Sequence, residues 1–240
     1  IFDIVSEQNS TFFEEDSKML LDNEDHVEWL DEVNSKGYHR DIEWKFWNDY
    51  ERYLLEEMQF SQSIINGPKG ISRTVNKILG ALDDPYKKGQ WDRRGLVVGE
   101  VQSGKTANFI GIISKAADAG YKLIIVLAGM YNDLRAQTQQ RIDEGFIGYN
   151  SKMDLKDYKK SNRIGVGNYY GHLPVIYYTN GSNNGDFNKT DADQTPAPLD
   201  YHEPIILVVK KNKIFYIIHQ EKLGFFFEFH YVYLYVKKNN

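Results

Sequence analysis

Apolar residues change their spacing part-way along this chain, and the change divides it. Within the polar stretch 17–60, Trp44, Trp47, Tyr50 and Leu54 fall at steps of three or four, which lays one apolar stripe along a helix. Asn66-Gly67-Pro68-Lys69-Gly70 breaks that pattern. Ile71, Val75, Ile78, Leu79 and Leu82 then repeat at helical steps until Asp83-Asp84-Pro85 stops them, so residues 1–88 are expected to be a helical N-terminal region. From Gly95 the spacing shortens. Leu96-Val97-Val98 is a compact strand run, 104–119 is a helix ended by Gly120, and Leu123 to Leu127 is a second strand run. A strand, a crossover helix and a strand imply a parallel sheet, which apolar runs at 164–166, 174–178 and 205–209 would extend. The segment TNGSNNGDFNKTDADQTPAPLD, 179–200, is polar and turn-rich and predicts a mobile loop.

Composition narrows the chemistry. The chain has 240 residues and no cysteine, which removes disulfides, thiolate zinc sites and a cysteine nucleophile, and fits a reducing, cytoplasmic setting. The six histidines show no pairing at metal-ligand spacing, and His202-Glu203 lacks the second histidine of HExxH. No apolar run nears the roughly 20 residues that span a bilayer, and the acidic opening IFDIVSEQ is unlike a secretory signal. Opening on Ile1 suggests a piece of something longer. The net charge of −5 hides a change of sign: residues 1–60 carry 17 acidic and 5 basic side chains, the remainder 17 and 24. A basic later part suits an anionic ligand or a nucleic-acid backbone, and an evenly solvated surface gives the same count.

The strongest chemical signal is Gly99-Glu100-Val101-Gln102-Ser103-Gly104-Lys105-Thr106, which spells G-x-x-x-x-G-K-[ST] between a predicted strand and a predicted helix. Its glycines let backbone N–H groups curl around phosphate oxygens, and the helix that continues through Ala107 points its positive end at the same anion. Lys105 would reach the β- and γ-phosphates, and Thr106 would offer its hydroxyl to Mg²⁺. The pattern predicts Mg·ATP binding by an α/β P-loop fold of RecA-like type, with the sheet flanked by helices, over residues 89–213.

The surrounding words carry a resemblance. WDRRGLVVGEVQSGKTANFIG, KAADAGYKLIIVLAGMYNDLRAQTQQRIDEGF, IGVG, NNGDFN and IILVVKKNK, between Trp91 and Lys213, resemble the Z-one domain family, named for a proposed endonuclease. The resemblance implies a helicase-like ATPase of superfamily two, associated with bacterial restriction and defence systems acting on DNA, and partner subunits of such systems. It also implies that 129–138, after the second strand, touches a nucleic-acid backbone. Asn132 would cap a helix there, with Arg135 and Gln137 near phosphate; Leu134, Gln137 and Arg141 also suit an ordinary surface helix packed by one side. Gln90, Trp91 and Arg93 lie where related ATPases hold the adenine, and Trp91 equally suits a buried sheet edge.

Hydrolysis in this class needs an acidic residue at a strand tip to help hold Mg²⁺, the Walker B acid. The apolar runs end instead in Ala128-Gly129-Met130, Thr179-Asn180 and Lys210-Lys211. From Lys210 onward, 23 of 31 residues are Lys, Asn, Ile, Phe, Tyr or Leu, as in AT-rich DNA translated without selection. The expectation is a chain truncated near Lys213, with an aberrant tail over 214–240, that binds ATP without efficient hydrolysis. The competing expectation is a real hairpin, because Phe229, Tyr231, Tyr233 and Tyr235 alternate as a strand does. Two further functions stand beside this one. Asp31 with Glu43 and Lys45 has the form of a metal-dependent nuclease motif, although it falls in a helical pattern. A non-hydrolysing nucleotide-binding scaffold needs only the phosphate loop.

Overall fold

The computed structural model describes residues 27–32, 34–88, 105–152, 162–169, 174–188 and 203–210, together with the backbone of 231–235 and, for Lys105, the backbone alone. The strand expected at Leu96–Val98, the phosphate loop from Gly99 to Gly104, the adenine candidates Gln90, Trp91 and Arg93, and most of the tail lie outside the described residues.

The N-terminal region is helical from Lys45 onward, as the spacing predicts. Helix α1 (Lys45–Glu56) buries Phe46, Trp47, Tyr50 and Leu54. A short helix α2 (Gln62–Asn66) starts on Ser61, whose side chain accepts from the Ile64 amide, and α3 (Ile71–Gly80) buries Ile71, Val75 and Leu79. The expectation of an all-helical start needs one correction. Strands β1 (Leu30–Asp31) and β2 (Lys36–Gly37) pair antiparallel ahead of α1. Trp29 and Leu30 are buried, and the Trp29 indole donates to the Leu82 carbonyl at 2.7 Å, so tertiary contacts hold a strand pair too short to be seen as a pattern.

Helix α4 (Lys105–Ala119) stops at Gly120, whose φ of +103° is the left-handed value that favours glycine after a helix. A Cβ there would also meet the Tyr86 ring at 2.7 Å. Strand β3 (Leu123–Ala128) follows, then helix α5 (Asn132–Ile142), which runs straight into a π turn over Asp143–Ile147. Strands β4 (Ile176–Tyr177), β5 (Ile205–Lys210) and β6 (Tyr231–Tyr235) complete a four-stranded sheet in the order β4-β5-β3-β6, with every pair parallel. The fold is therefore α/β around a parallel sheet, and no described helix is long and apolar enough to cross a membrane.

Two expectations are revised here. The apolar run at 164–166 is no strand: Gly165 sits at φ +48° and opens a 3-10 turn over Gly165–Asn168 against Glu144 and Gly148. The loop expected to be mobile is packed over the part that is described. The Asn180 amide donates to the Gly185 carbonyl at 2.8 Å, and Phe187 is buried. In the tail, Tyr231–Tyr235 is a strand, as its alternation predicts, and pairs parallel to β3; the second strand of a hairpin would lie outside the described residues.

Side chains alternate across the sheet. Ile124, Val126, Ala128, Ile206 and Val208 join a large core shared with α1, α3 and α4, while Leu123, Ile125, Ile205, Leu207 and Val209 meet Phe187 on the other face. Helices α4 and the α5–π segment run side by side in the same direction. Arg141 reaches Thr106, and four residues further on Gly145 presses against Ile110, so the separation of 35 residues is kept over one turn.

Candidate functional site

The described part of the phosphate-loop motif is the start of α4. The described part of α4 opens at Lys105, and its first turn carries no acidic side chain to quench the positive potential of a helix N-terminus. Thr106 is half-buried. Ala107 is buried, and its carbonyl accepts the Tyr50 hydroxyl at 3.2 Å, which ties α1 to the first turn of α4. The Asn108 side-chain oxygen is buried with no hydrogen-bond partner among the described residues.

One contact was not foreseen. Arg141 of α5 places Nη1 3.3 Å from the Thr106 hydroxyl oxygen. Spacing within α5 suggested ordinary packing for Arg141; its partner became visible only once α4 and α5 were parallel and in register. A hydroxyl oxygen beside an exposed guanidinium is a donor set that fits a phosphate with its hard cation, the oxygen suiting Mg²⁺ and the guanidinium a phosphate oxygen. Thr106 would hold the metal through the nucleotide, and the metal would supply charge neutralisation between the β- and γ-phosphates.

The nucleic-acid candidates are dispersed. Asn132 does not cap α5: the cap position is Tyr131, with no side-chain capping bond, and the Asn132 side-chain oxygen instead accepts Lys210 Nζ at 2.8 Å. Gln137 is exposed. Arg135 is a correction, since it is fully buried and donates Nη2 to the Ser182 carbonyl at 2.5 Å, away from any surface phosphate. Its Nε and Nη1 have no partner among the described residues, and burial lowers its pKa. The packed loop 179–188 takes up this face of α5, and turn-rich composition gave no sign of that.

Two buried polar nodes were also missed. On α4, Lys115 donates to Asn76 Oδ1 at 2.6 Å and Ser72 Oγ at 3.1 Å, with its ammonium 4.3 Å from the Trp47 ring centroid. Burial pulls its pKa down to about 7. One turn on, Asp118 accepts the Phe46 and Trp47 amides at 3.0 and 2.9 Å, and burial pushes its carboxyl up to about 7 against those bonds. On the α5–π segment, Asp143 accepts Gln139 Nε2 at 2.9 Å and both the amide and the hydroxyl of Ser151, at 3.0 and 2.6 Å. Burial raises it to about 6. Gln139 in turn accepts the Thr179 hydroxyl, whose oxygen accepts the Val208 amide of β5.

The nuclease candidates do not converge. Asp31 on β1 is engaged by Asn34, while Glu43 and Lys45 form an exposed pair at 2.5 Å at the start of α1. Among the described residues no group of three His, Asp or Glu is placed to hold a metal ion. Compared with family models, curated proteins and solved structures, the chain has no significant match.

Proposed function

We propose that this chain is the ATP-binding part of a DNA-directed, helicase-like ATPase of the kind used in bacterial restriction and defence. The observation that carries the proposal is that the last residues of G-x-x-x-x-G-K-[ST], Lys105 and Thr106, lie on α4, which leads into the parallel strand β3. A RecA-like P-loop arrangement is the finer fold that accounts for this order of elements. The DNA-directed half rests on the resemblance of the quoted segments and on the positive balance after residue 60.

In this proposal backbone amides of 99–107 surround the triphosphate, Lys105 neutralises it, and Thr106 holds Mg²⁺. Strands β3, β4 and β5 run out into Ala128-Gly129-Met130, Thr179-Asn180 and Lys210-Lys211, none of which is a carboxylate. The chain therefore binds Mg·ATP and turns it over slowly. Calorimetric titration of the purified chain should give saturable Mg·ATP binding that weakens at least about a hundredfold in Lys105→Ala, the loss expected for one or two strong charge-assisted contacts. Unchanged binding in that variant removes the phosphate-loop assignment. Rapid steady-state phosphate release removes the slow-turnover half alone.

A further inference from the structure

We infer that Arg141 is the residue by which this site distinguishes a nucleoside triphosphate from a diphosphate, through direct contact of its guanidinium with the terminal phosphate. The inference rests on the phosphate-loop proposal and deepens it.

Arg141 is exposed and sits in the last turn of α5, yet it reaches back to α4, with Nη1 3.3 Å from the Thr106 hydroxyl oxygen. In the proposed site that oxygen would help hold Mg²⁺, so the Arg141 guanidinium, with a nitrogen 3.3 Å from it, stands next to where the cation and its phosphate would be held. A guanidinium has no lone pair to offer the metal and is repelled by it, so its favourable partner there is an anionic ligand oxygen. The terminal phosphate of a triphosphate would carry the greater charge and offer oxygens that match the fork of an arginine, which a diphosphate lacks at that place. The remaining N–H groups of Arg141 have no hydrogen-bond partner among the described residues.

The placement of Arg141 is fixed by the backbone beneath it. One turn further on, a Cβ at Gly145 would lie 2.9 Å from Ile110 Cγ2 and 3.2 Å from Tyr50 Cε2, so the absence of a side chain lets the π turn seat directly on α4. Phe146 packs beside it on Phe46, with ring centroids 5.1 Å apart. The guanidinium thus hangs from a rigid seam, and its contact with phosphate requires only side-chain adjustment.

The test is calorimetric titration of the full chain, as wild type, Arg141→Ala, Arg141→Lys and Lys105→Ala, with Mg²⁺ and either a non-hydrolysable ATP analogue or ADP. Arg141→Ala should weaken the triphosphate analogue about ten- to a hundredfold and leave ADP within about twofold, the loss of one charge-assisted contact, and Arg141→Lys should recover part of it. Lys105→Ala should weaken both nucleotides. Because Arg141 is exposed, the melting temperature of its variants should match wild type, and a fall of several degrees together with loss of both nucleotides overturns the inference in favour of a structural role. Retention of wild-type selectivity in Arg141→Ala, beside a Lys105→Ala that binds neither nucleotide, overturns this inference and leaves the phosphate-loop proposal standing. Failure of the wild type to bind either nucleotide removes both.

Discussion

Helix α4 and the α5–π segment meet along one seam, at Thr106–Arg141 and Ile110–Gly145, yet they lean on different kinds of burial. Helix α4 buries mainly apolar side chains, Ala107, Ile110, Ile113 and Ala116, with the polar node of Lys115 and Asp118 near its end. Helix α5 buries Arg135 and Gln139 beside Ile142, and its π turn buries Asp143 beside Phe146 and Ile147. Apolar burial is proportional to area and indifferent to direction, so many side chains of similar size serve equally well. Buried polar groups have few acceptable partners and fix geometry tightly, at the cost of having nothing to replace a partner once it is lost. The helix that carries Lys105 and Thr106 leans towards the tolerant kind, and the segment that brings Arg141 to it towards the exacting kind.

The contrast is broken most forcefully by paired substitutions. Ile113→Ala should cost about 2–5 kcal/mol, and the conservative Ile113→Val about 0.5–1.5 kcal/mol. On α5 the conservative change should give no such relief. Asp143→Asn puts an amide donor where Gln139 and Ser151 already donate, and should cost about 2–3 kcal/mol in urea unfolding. A loss under about 0.5 kcal/mol for Asp143→Asn would mean that the polar face is as forgiving as the apolar one. At the seam between the helices, Gly145→Ala should cost about 1–3 kcal/mol by overpacking against Ile110 and Tyr50.

Asp143 and Lys115 should also respond to pH with opposite sign. Asp143 has a folded pKa of about 6, above its ordinary value, so the folded chain holds a proton that the unfolded chain has released. Its contribution is full in acid and is lost as pH rises towards 6, hence the stability gap between wild type and Asp143→Asn should widen on going from pH 6 to pH 4. Lys115, depressed to about 7, behaves in reverse: the unfolded chain binds the extra proton between 7 and 10, so the gap between wild type and Lys115→Met should widen as pH rises through that window. Each slope is bounded by about 1.4 kcal/mol per pH unit. Parallel slopes from the two gaps would contradict the assignment of burial as the common cause. The smallest effect belongs to Arg135→Met, which removes a guanidinium with two unpartnered nitrogens and keeps most of the volume. Denaturant midpoints should move by less than about 1 kcal/mol in either direction.

The same contrast explains what was legible beforehand. Trp47, Tyr50, Leu54, Ile71, Val75 and Leu79 were readable because a buried apolar stripe repeats at 3.6 residues, and Leu123–Leu127 and 205–209 because buried parallel strands are continuous apolar runs. Arg135, Gln139 and Asp143 carry the same helical spacing, but composition marks them as surface residues, and what buries them is the distant segment 179–188. Glycine misled in its own way at 164–166, where the apolar run is broken by the φ of Gly165. For the candidate site, the motif spelled out Lys105 and Thr106, while Arg141, 35 residues away, is brought to Thr106 only by the tertiary register of two parallel helices.

The amino end of α1 has no capping side chain of its own, and the carboxylate that serves it is Asp118, more than seventy residues downstream. An excised fragment covering 41–88 would lack that carboxylate, and its first turn should fray in water. The first turn of α1 thus depends for its completion on a chain segment synthesised after it, and the two stretches share one stability.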